Sequence, residues 1–225
     1  VTMYNTIADA STKPVILYNV PSRTGIGIQP ETYVKLAEHP NIAAIKEANS
    51  DISKIVETFS LVGDKLDIYS GNDDQIVPIL SMGGMGCISV LSNVVPAGTV
   101  AITDKFFAGD VAGAAQLQCK YMPLIRSLFC ESNPIPVKAA MAAMGYCENF
   151  LRLPLVPMEE DHYETMIQRM RALGINVFWH TVVGDNPQRL RAAVEIAKRR
   201  ADILITTGGL GPTCDDLTKN VLAAA

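Results

Sequence analysis

Two side chains in this sequence could carry out covalent chemistry together. Tyr18 lies near the end of one apolar run, Val15–Val20, and Lys46 closes the next, Ile42–Lys46. Strand alternation puts Ile16 and Tyr18 on one face of the first run, and Ile42, Ala44 and Lys46 on one face of the second. If that face is the inside of a barrel, the ammonium sits among apolar walls and desolvation disfavours its charged form. A neutral lysine amine attacks a ketone to form a Schiff base. A tyrosine hydroxyl on the adjacent strand can relay the protons that imine formation requires. The structural alternative is a lysine reaching out of a strand end beside an ordinary amphipathic tyrosine.

The elements that must position this pair follow from periodicity. Val15–Val20, Ile42–Lys46, Leu66–Ser70 and Gly86–Val90 read as buried strands, with helices over Glu31–His39, Ile52–Val62 and Gln75–Met82 between them. Near-continuous apolar strands separated by helices indicate parallel βα units, suited to a barrel or a doubly wound sheet. From Pro96 to Leu173 the pattern is helical. Gly109-Asp110 punctuates it, and Asn133-Pro134-Ile135-Pro136 opens a new helix with proline in its first turn. Leu151–Pro157 reads as a loop, and Glu159–Leu173 as an amphipathic helix stopped by Gly174. Beyond it, Asn176–Val183 and Asp202–Thr207 read as strands around a basic helix, Pro187–Arg200. The second strand runs into Gly208-Gly209-Leu210-Gly211-Pro212. Three sections are expected: 1–95, 96–174 and 175–225.

Composition narrows the function classes. The 225 residues are 48% hydrophobic and 19% charged, enough apolar side chain for a sizeable core. A net charge of −4 argues against a broad nucleic-acid-binding face. No apolar run reaches the roughly 18 residues needed to cross a bilayer, and Val1–Ala10 lacks the pattern of a secretory signal. The five cysteines are scattered, and no pair has CxxC spacing. Neither a disulfide framework nor a zinc knuckle is expected, and a reducing cytoplasm fits this usage. No metal or cofactor is expected.

The words around the pair carry a resemblance. Tyr18-Asn19-Val20-Pro21-Ser22-Arg23-Thr24-Gly25, then Ile45-Lys46-Glu47-Ala48, resembles the dihydrodipicolinate synthase family of class I aldolase-like lyases. The likeness continues through Ser70-Gly71-Asn72-Asp73, Gly86-Cys87-Ile88-Ser89-Val90, Asn133-Pro134-Ile135-Pro136-Val137-Lys138 and Leu151-Arg152-Leu153-Pro154. It implies a partial (β/α)8 TIM barrel, its second half with four βα units, followed by C-terminal helices. It implies condensation of pyruvate with aspartate 4-semialdehyde in lysine biosynthesis. Lys46 would be the Schiff-base lysine and Tyr18 the proton-relay tyrosine. Arg23 would hold the semialdehyde carboxylate, a role suited to a forked guanidinium. Otherwise it is a solvated turn residue. Gly71 and Ile88 would line the pyruvate pocket through backbone groups, with Asn72 and Asp73 shaping the loop.

Relative to that family, the first half of the barrel is missing, with its carboxylate-binding loop and further relay residues. Tyr4, on a helix fragment outside any family motif, does not replace them. Part of the family's tight dimer interface lies in the same half, and the strand edges left exposed make a homo-oligomer or self-association the expectation. Residues 175–225 instead resemble a slice of the molybdopterin-binding-like domain of the competence-damage-inducible proteins, a βαβ fragment of a doubly wound fold. There Gly208, Gly209, Gly211, Asp215 and Asp216 would lie at a ligand or phosphate site, where glycines let backbone N–H groups approach an anion. The alternative is a strand-to-helix turn. The two likenesses meet at Leu173-Gly174-Ile175. Beside the lyase stand two other readings: a pterin- or nucleotide-binding module, and a non-functional chimeric fragment.

Overall fold

Four short strands pair in parallel and in chain order: β1 (Val15–Asn19), β2 (Ile42–Glu47), β3 (Asp67–Ser70) and β4 (Gly86–Cys87). They belong to a computed structural model that describes residues 1–177, 183, 186–200, 218 and 221. Ahead of β1 lies α1 (Thr2–Ala10). The crossovers carry α2 (Pro21–Thr24), α3 (Pro30–Leu36), α4 (Ile52–Val62) and α5 (Ile76–Ser81), the last preceded by a 3-10 turn at Asp73–Gln75. After β4 come α6 (Leu91–Val94), α7 (Pro96–Phe107), α8 (Val111–Leu128), α9 (Ile135–Ala143), α10 (Glu160–Ala172) and α11 (Pro187–Arg200).

Consecutive strand order decides between the two architectures the sequence leaves open. Each right-handed crossover steps the same way, so the helices fall on one side of the sheet. A doubly wound sheet reverses its order at a switch point, and this one does not. The winding is that of four consecutive units of a (β/α)8 barrel.

The two faces of the sheet differ accordingly. Leu17, Ile45 and Ile68 pack against Ala8 of α1, Tyr33 and Leu36 of α3, and Val62 of α4. Each such large apolar side chain contributes about 1.5–3 kcal/mol on burial. The opposite face is open, with Ile16 49% and Tyr18 44% exposed. A second cluster, Ile76, Leu80 and Ile102 with Leu117 and Tyr121, joins α5, α7 and α8.

Local chemistry explains several boundaries. The Asp51 carboxylate accepts from the backbone N–H of Ser53 and Lys54 and starts α4. Asp110 accepts from Gly113 N–H at the start of α8. Gly174, at φ 76°, takes up the left-handed turn after α10.

Three expectations need correction. Ile42 does not share a face with Ala44 and Lys46. The ladder slips between Val15 and Ile16, so Val15 pairs with Ile42 while Ile16 pairs with Ala44, and Ile42 joins the helix-side core. A bulge of this kind reverses the alternation behind it. The strand expected over Gly86–Val90 stops at Cys87, and a helical turn the periodicity does not announce, α6, begins at Leu91. The helix expected over Glu31–His39 spans Pro30–Leu36.

The chain divides into two compact units, Val1–Asn176 and Val177–Ala225. In the second, the expected helix Pro187–Arg200 is present as α11, with Val194 buried. The strands expected there fall largely or wholly outside the described residues, as do Gly208, Gly209, Gly211, Asp215 and Asp216.

Candidate active site

Tyr18 and Lys46 are direct partners in the β1–β2 ladder, and Lys46 pairs onward with Tyr69 on β3. The lysine thus stands between two tyrosine positions at the carboxyl ends of parallel strands, where such folds bind ligands. The Lys46 Nζ lies 4.1 Å from the centroid of the Tyr18 ring. A cation–π contact of this kind is worth about 0.5–1 kcal/mol at an exposed site. It holds the nitrogen above the ring rather than at the phenol oxygen. The enclosure expected around the ammonium is one-sided: Lys46 is half-buried, but the face it stands on is open.

Behind the pair, on the helix side, sits a polar group the motif reading does not single out. Asn19 and Glu47, each next in sequence to a member of the pair, are both 2% exposed. Asn19 Nδ2 donates to Glu47 Oε1 and Oε2 at 2.9 and 3.1 Å. Asn49 N–H donates to Oε1 at 2.7 Å, and the Tyr33 hydroxyl donates to Oε2 at 3.4 Å. Asn19 Oδ1 accepts from Ile28 N–H at 3.0 Å. Burial pushes the Glu47 carboxyl above the usual carboxylate range, opposed by these donors. Burial first, then the Glu47 charge, pushes the Tyr33 phenol up. The sequence signal for this network is a polar side chain on the helix-facing side of an apolar strand.

Gly71 braces Lys46 from β3. Its N–H donates to the Glu47 carbonyl at 2.7 Å. A Cβ there would stand 2.9 Å from Ala48 Cβ, 3.0 Å from Glu47 O and 3.1 Å from Lys46 Cγ. The backbone passes against the lysine stem at a distance only glycine permits.

Ile88 follows β4, 38% exposed, and its N–H donates to the Ser70 carbonyl at 2.8 Å. Asp73 anchors the far end of that loop, accepting from Val90 and Leu91 N–H at 3.1 and 2.8 Å through Oδ2. These bonds turn the chain into α6 and explain why β4 is short. Burial raises the Asp73 carboxyl, opposed by the Ser89 hydroxyl and the two amides. Burial, with the Asp73 charge, pushes the Cys87 thiol up to about 11. Asn72 Nδ2 lies 3.4 Å from Asn49 O and 3.3 Å from Gln75 Oε1, spanning neighbouring loops.

Arg23 rides on α2, which has Pro21 in its first turn and ends at Gly25 with φ 72°. The guanidinium is exposed, and Nη1 donates to the Asn133 carbonyl at 3.3 Å. This ties the β1 loop to the approach of α9. Tyr4 packs into the helix-side core, away from the strand ends. The one grouping of metal-ligating side chains among the described residues, Cys130, Glu131 and His162, belongs to the helical region.

The family model described as "Dihydrodipicolinate synthetase family" matches residues 1–173. A second, "Probable molybdopterin binding domain", matches residues 157–225. The 4-hydroxy-tetrahydrodipicolinate synthase of Clostridium perfringens is 49% identical over 172 residues, 76% of this chain and 59% of the relative. That of Caldicellulosiruptor saccharolyticus is 50% identical over 174 residues, 77% of this chain and 59% of the relative. Among solved structures, the dihydrodipicolinate synthase of Thermotoga maritima superposes with a TM-score of 0.75 at 40% identity. The match covers 77% of this chain and 60% of that one. The chain therefore spans about three-fifths of the length of the relatives it matches.

Proposed function

The chain belongs to the dihydrodipicolinate synthetase family, and from that membership we propose a lyase that holds pyruvate as a Schiff base on Lys46. The Lys46 amine adds to the ketone carbon of pyruvate. Tyr18 passes a proton to the departing oxygen, which leaves as water. The imine loses a methyl proton to become an enamine. Its carbon then attacks the aldehyde of aspartate 4-semialdehyde, whose oxygen takes up a proton as the 4-hydroxyl. The substrate's own amine displaces Lys46 from the re-formed imine, closing the ring of 4-hydroxy-tetrahydrodipicolinate and freeing the lysine. Gly71 and the Ile88 segment present backbone groups to the pyruvate, and Arg23 pairs with the semialdehyde carboxylate. The proposed division is a half barrel over 1–95, helices over 96–174 and a separate segment over 175–225. The proposed setting is the cytoplasm, with self-association of the chain.

The observation that carries this reading is the register pairing of Tyr18 with Lys46 at the strand ends, inside the family match. Borohydride reduction in the presence of pyruvate tests it. The expected result is one covalent adduct on Lys46, lost in Lys46→Ala. No adduct at millimolar pyruvate overturns the reading.

The match over residues 157–225 favours a second reading for the C-terminal segment, as a binding module for a pterin-like or nucleotide ligand. Thermal stabilisation by such a ligand, abolished by Gly208→Val or Asp215→Ala, is the expected result. Unchanged stability with and without ligand overturns it.

A further inference from the structure

We propose that Cys130, Glu131 and His162 form a surface binding site for a thiophilic divalent cation of the zinc class. None of the three residues belongs to the proposed strand-end chemistry. The three ligand-bearing atoms all lie within 4.8 Å of one another. Two come from the turn that follows α8 and the third from the first turn of α10, so the tertiary fold assembles the set. Zinc takes thiolate, imidazole and carboxylate donors at about 2.0–2.3 Å in a tetrahedron. That geometry sets donor–donor spacings of about 3.3–3.6 Å, within the present span of the three atoms, with the His162–Glu131 pair opening slightly to admit the ion.

The existing contacts already favour a cation at this point. His162 Nδ1 and Glu131 Oε1 are 2.8 Å apart, the spacing of a shared proton. A metal ion takes the place of that proton. The Glu131 carboxylate is fixed in place, because the Glu159 N–H donates at 3.1 Å to the same Oε1 that meets His162. Carboxylates oriented this way by backbone donors are the usual support of metal ligands. Thiolate, carboxylate and neutral imidazole sum to two negative charges, which a divalent ion neutralises. The thiol gives up its proton to solvent on binding.

Cys130 and His162 are exposed, so an ion and a completing water have access. Two features oppose the ion: the Cys130 thiol donates to the Ser127 carbonyl at 3.2 Å, and the Arg169 charge acts on Cys130. The Arg169 Nη1 is engaged by Ser127 Oγ at 2.7 Å and Pro123 O at 2.9 Å. Three protein donors and one open position form the set of an exchangeable site rather than a closed structural one.

Zinc titration of the metal-free full chain against a chromophoric chelator tests the site. One equivalent is expected to bind. Cys130→Ser and His162→Ala should each weaken binding by at least the roughly tenfold that loss of a mere outer-shell partner costs. Cobalt in place of zinc should give a thiolate charge-transfer band that Cys130→Ser removes. Circular dichroism melts of both variants should match the parent, since both side chains are exposed. Zinc binding weakened less than about tenfold in Cys130→Ser or His162→Ala, a cobalt complex without a thiolate band, or no binding at all overturns the proposal. The readout does not depend on Schiff-base chemistry, so failure of either reading leaves the other intact.

Discussion

At the scale of single residues, Lys46 is positioned by what surrounds its stem more than by what surrounds its nitrogen. The Tyr18 ring lies under the nitrogen, and Gly71 presses on Cγ. Gly71→Ala forces a methyl group into contacts of 2.9–3.1 Å with Ala48, Glu47 and Lys46. It is expected to lower the unfolding free energy by about 1–3 kcal/mol, as overpacking does. Urea denaturation measures this, and pyruvate trapping on the variant should slow as the lysine is displaced. Tyr18→Phe keeps the ring under the ammonium but removes the hydroxyl. Its trapping rate should fall by about 10²-fold or more, the lower range for a lost acid–base group, with little change in stability. A rate equal to the parent's would remove Tyr18 from the relay. Burial pushes the Cys87 thiol up, which disfavours its thiolate at neutral pH. Alkylation is expected at exposed Cys119 and Cys147 well before Cys87, as peptide mapping would show.

At the scale of elements, the register of β1 on β2 decides whether Tyr18 and Lys46 meet, and a buried amide–carboxylate pair holds it. The Glu47 carboxyl is raised in the folded state, so the folded chain takes up its proton at a higher pH than the unfolded one. Stability is then lost as pH rises from the ordinary glutamate range through the raised value. It is regained as pH falls back through the same window. Glu47→Gln cannot ionise and should lack this slope. Urea midpoints of parent and variant, compared from neutral pH downward, should converge or cross as the parent gains this contribution. Parallel curves would mean that Glu47 is not burdened by burial. Asn19→Ala strips the carboxylate of two hydrogen bonds and should cost about 1–3 kcal/mol.

Elements also show what a sequence can reveal. Helix α4 is legible over Ile52–Val62 because its apolar period is regular and Asp51 caps it. The parallel βα pattern and the carboxyl-end placement of Tyr18 and Lys46 follow from strand texture and motif. The bulge that turns Ile42 away is not legible, since it depends on pairing with another strand. Nor is the end of β4, which Asp73 sets by drawing in two amides from 17 and 18 residues away. The Cys130–Glu131–His162 grouping has no spacing signature, because its members meet only when α8 and α10 pack.

At the scale of the whole molecule, the two compact units lead to a separable expectation. A chain ending at Asn176 retains α10 and the Gly174 turn that closes it. Its thermal transition by calorimetry should match the one the full chain assigns to residues 1–176, and a shift of several degrees would mean that the units stabilise one another. The first unit also has an open face. A closed barrel has no strand edges, whereas the sheet described here has edges at β1 and β4. Ile16 and Tyr18 on β1 and Ile88 after β4 stand exposed. Apolar side chains next to unpaired strand edges favour association with another copy or another sheet. Sedimentation velocity of this chain should show association that grows with concentration, and Ile16→Lys should suppress it by placing a charge on the exposed face. If the chain sediments as a monomer across that range, the exposed apolar side chains and open edges do not suffice to drive association.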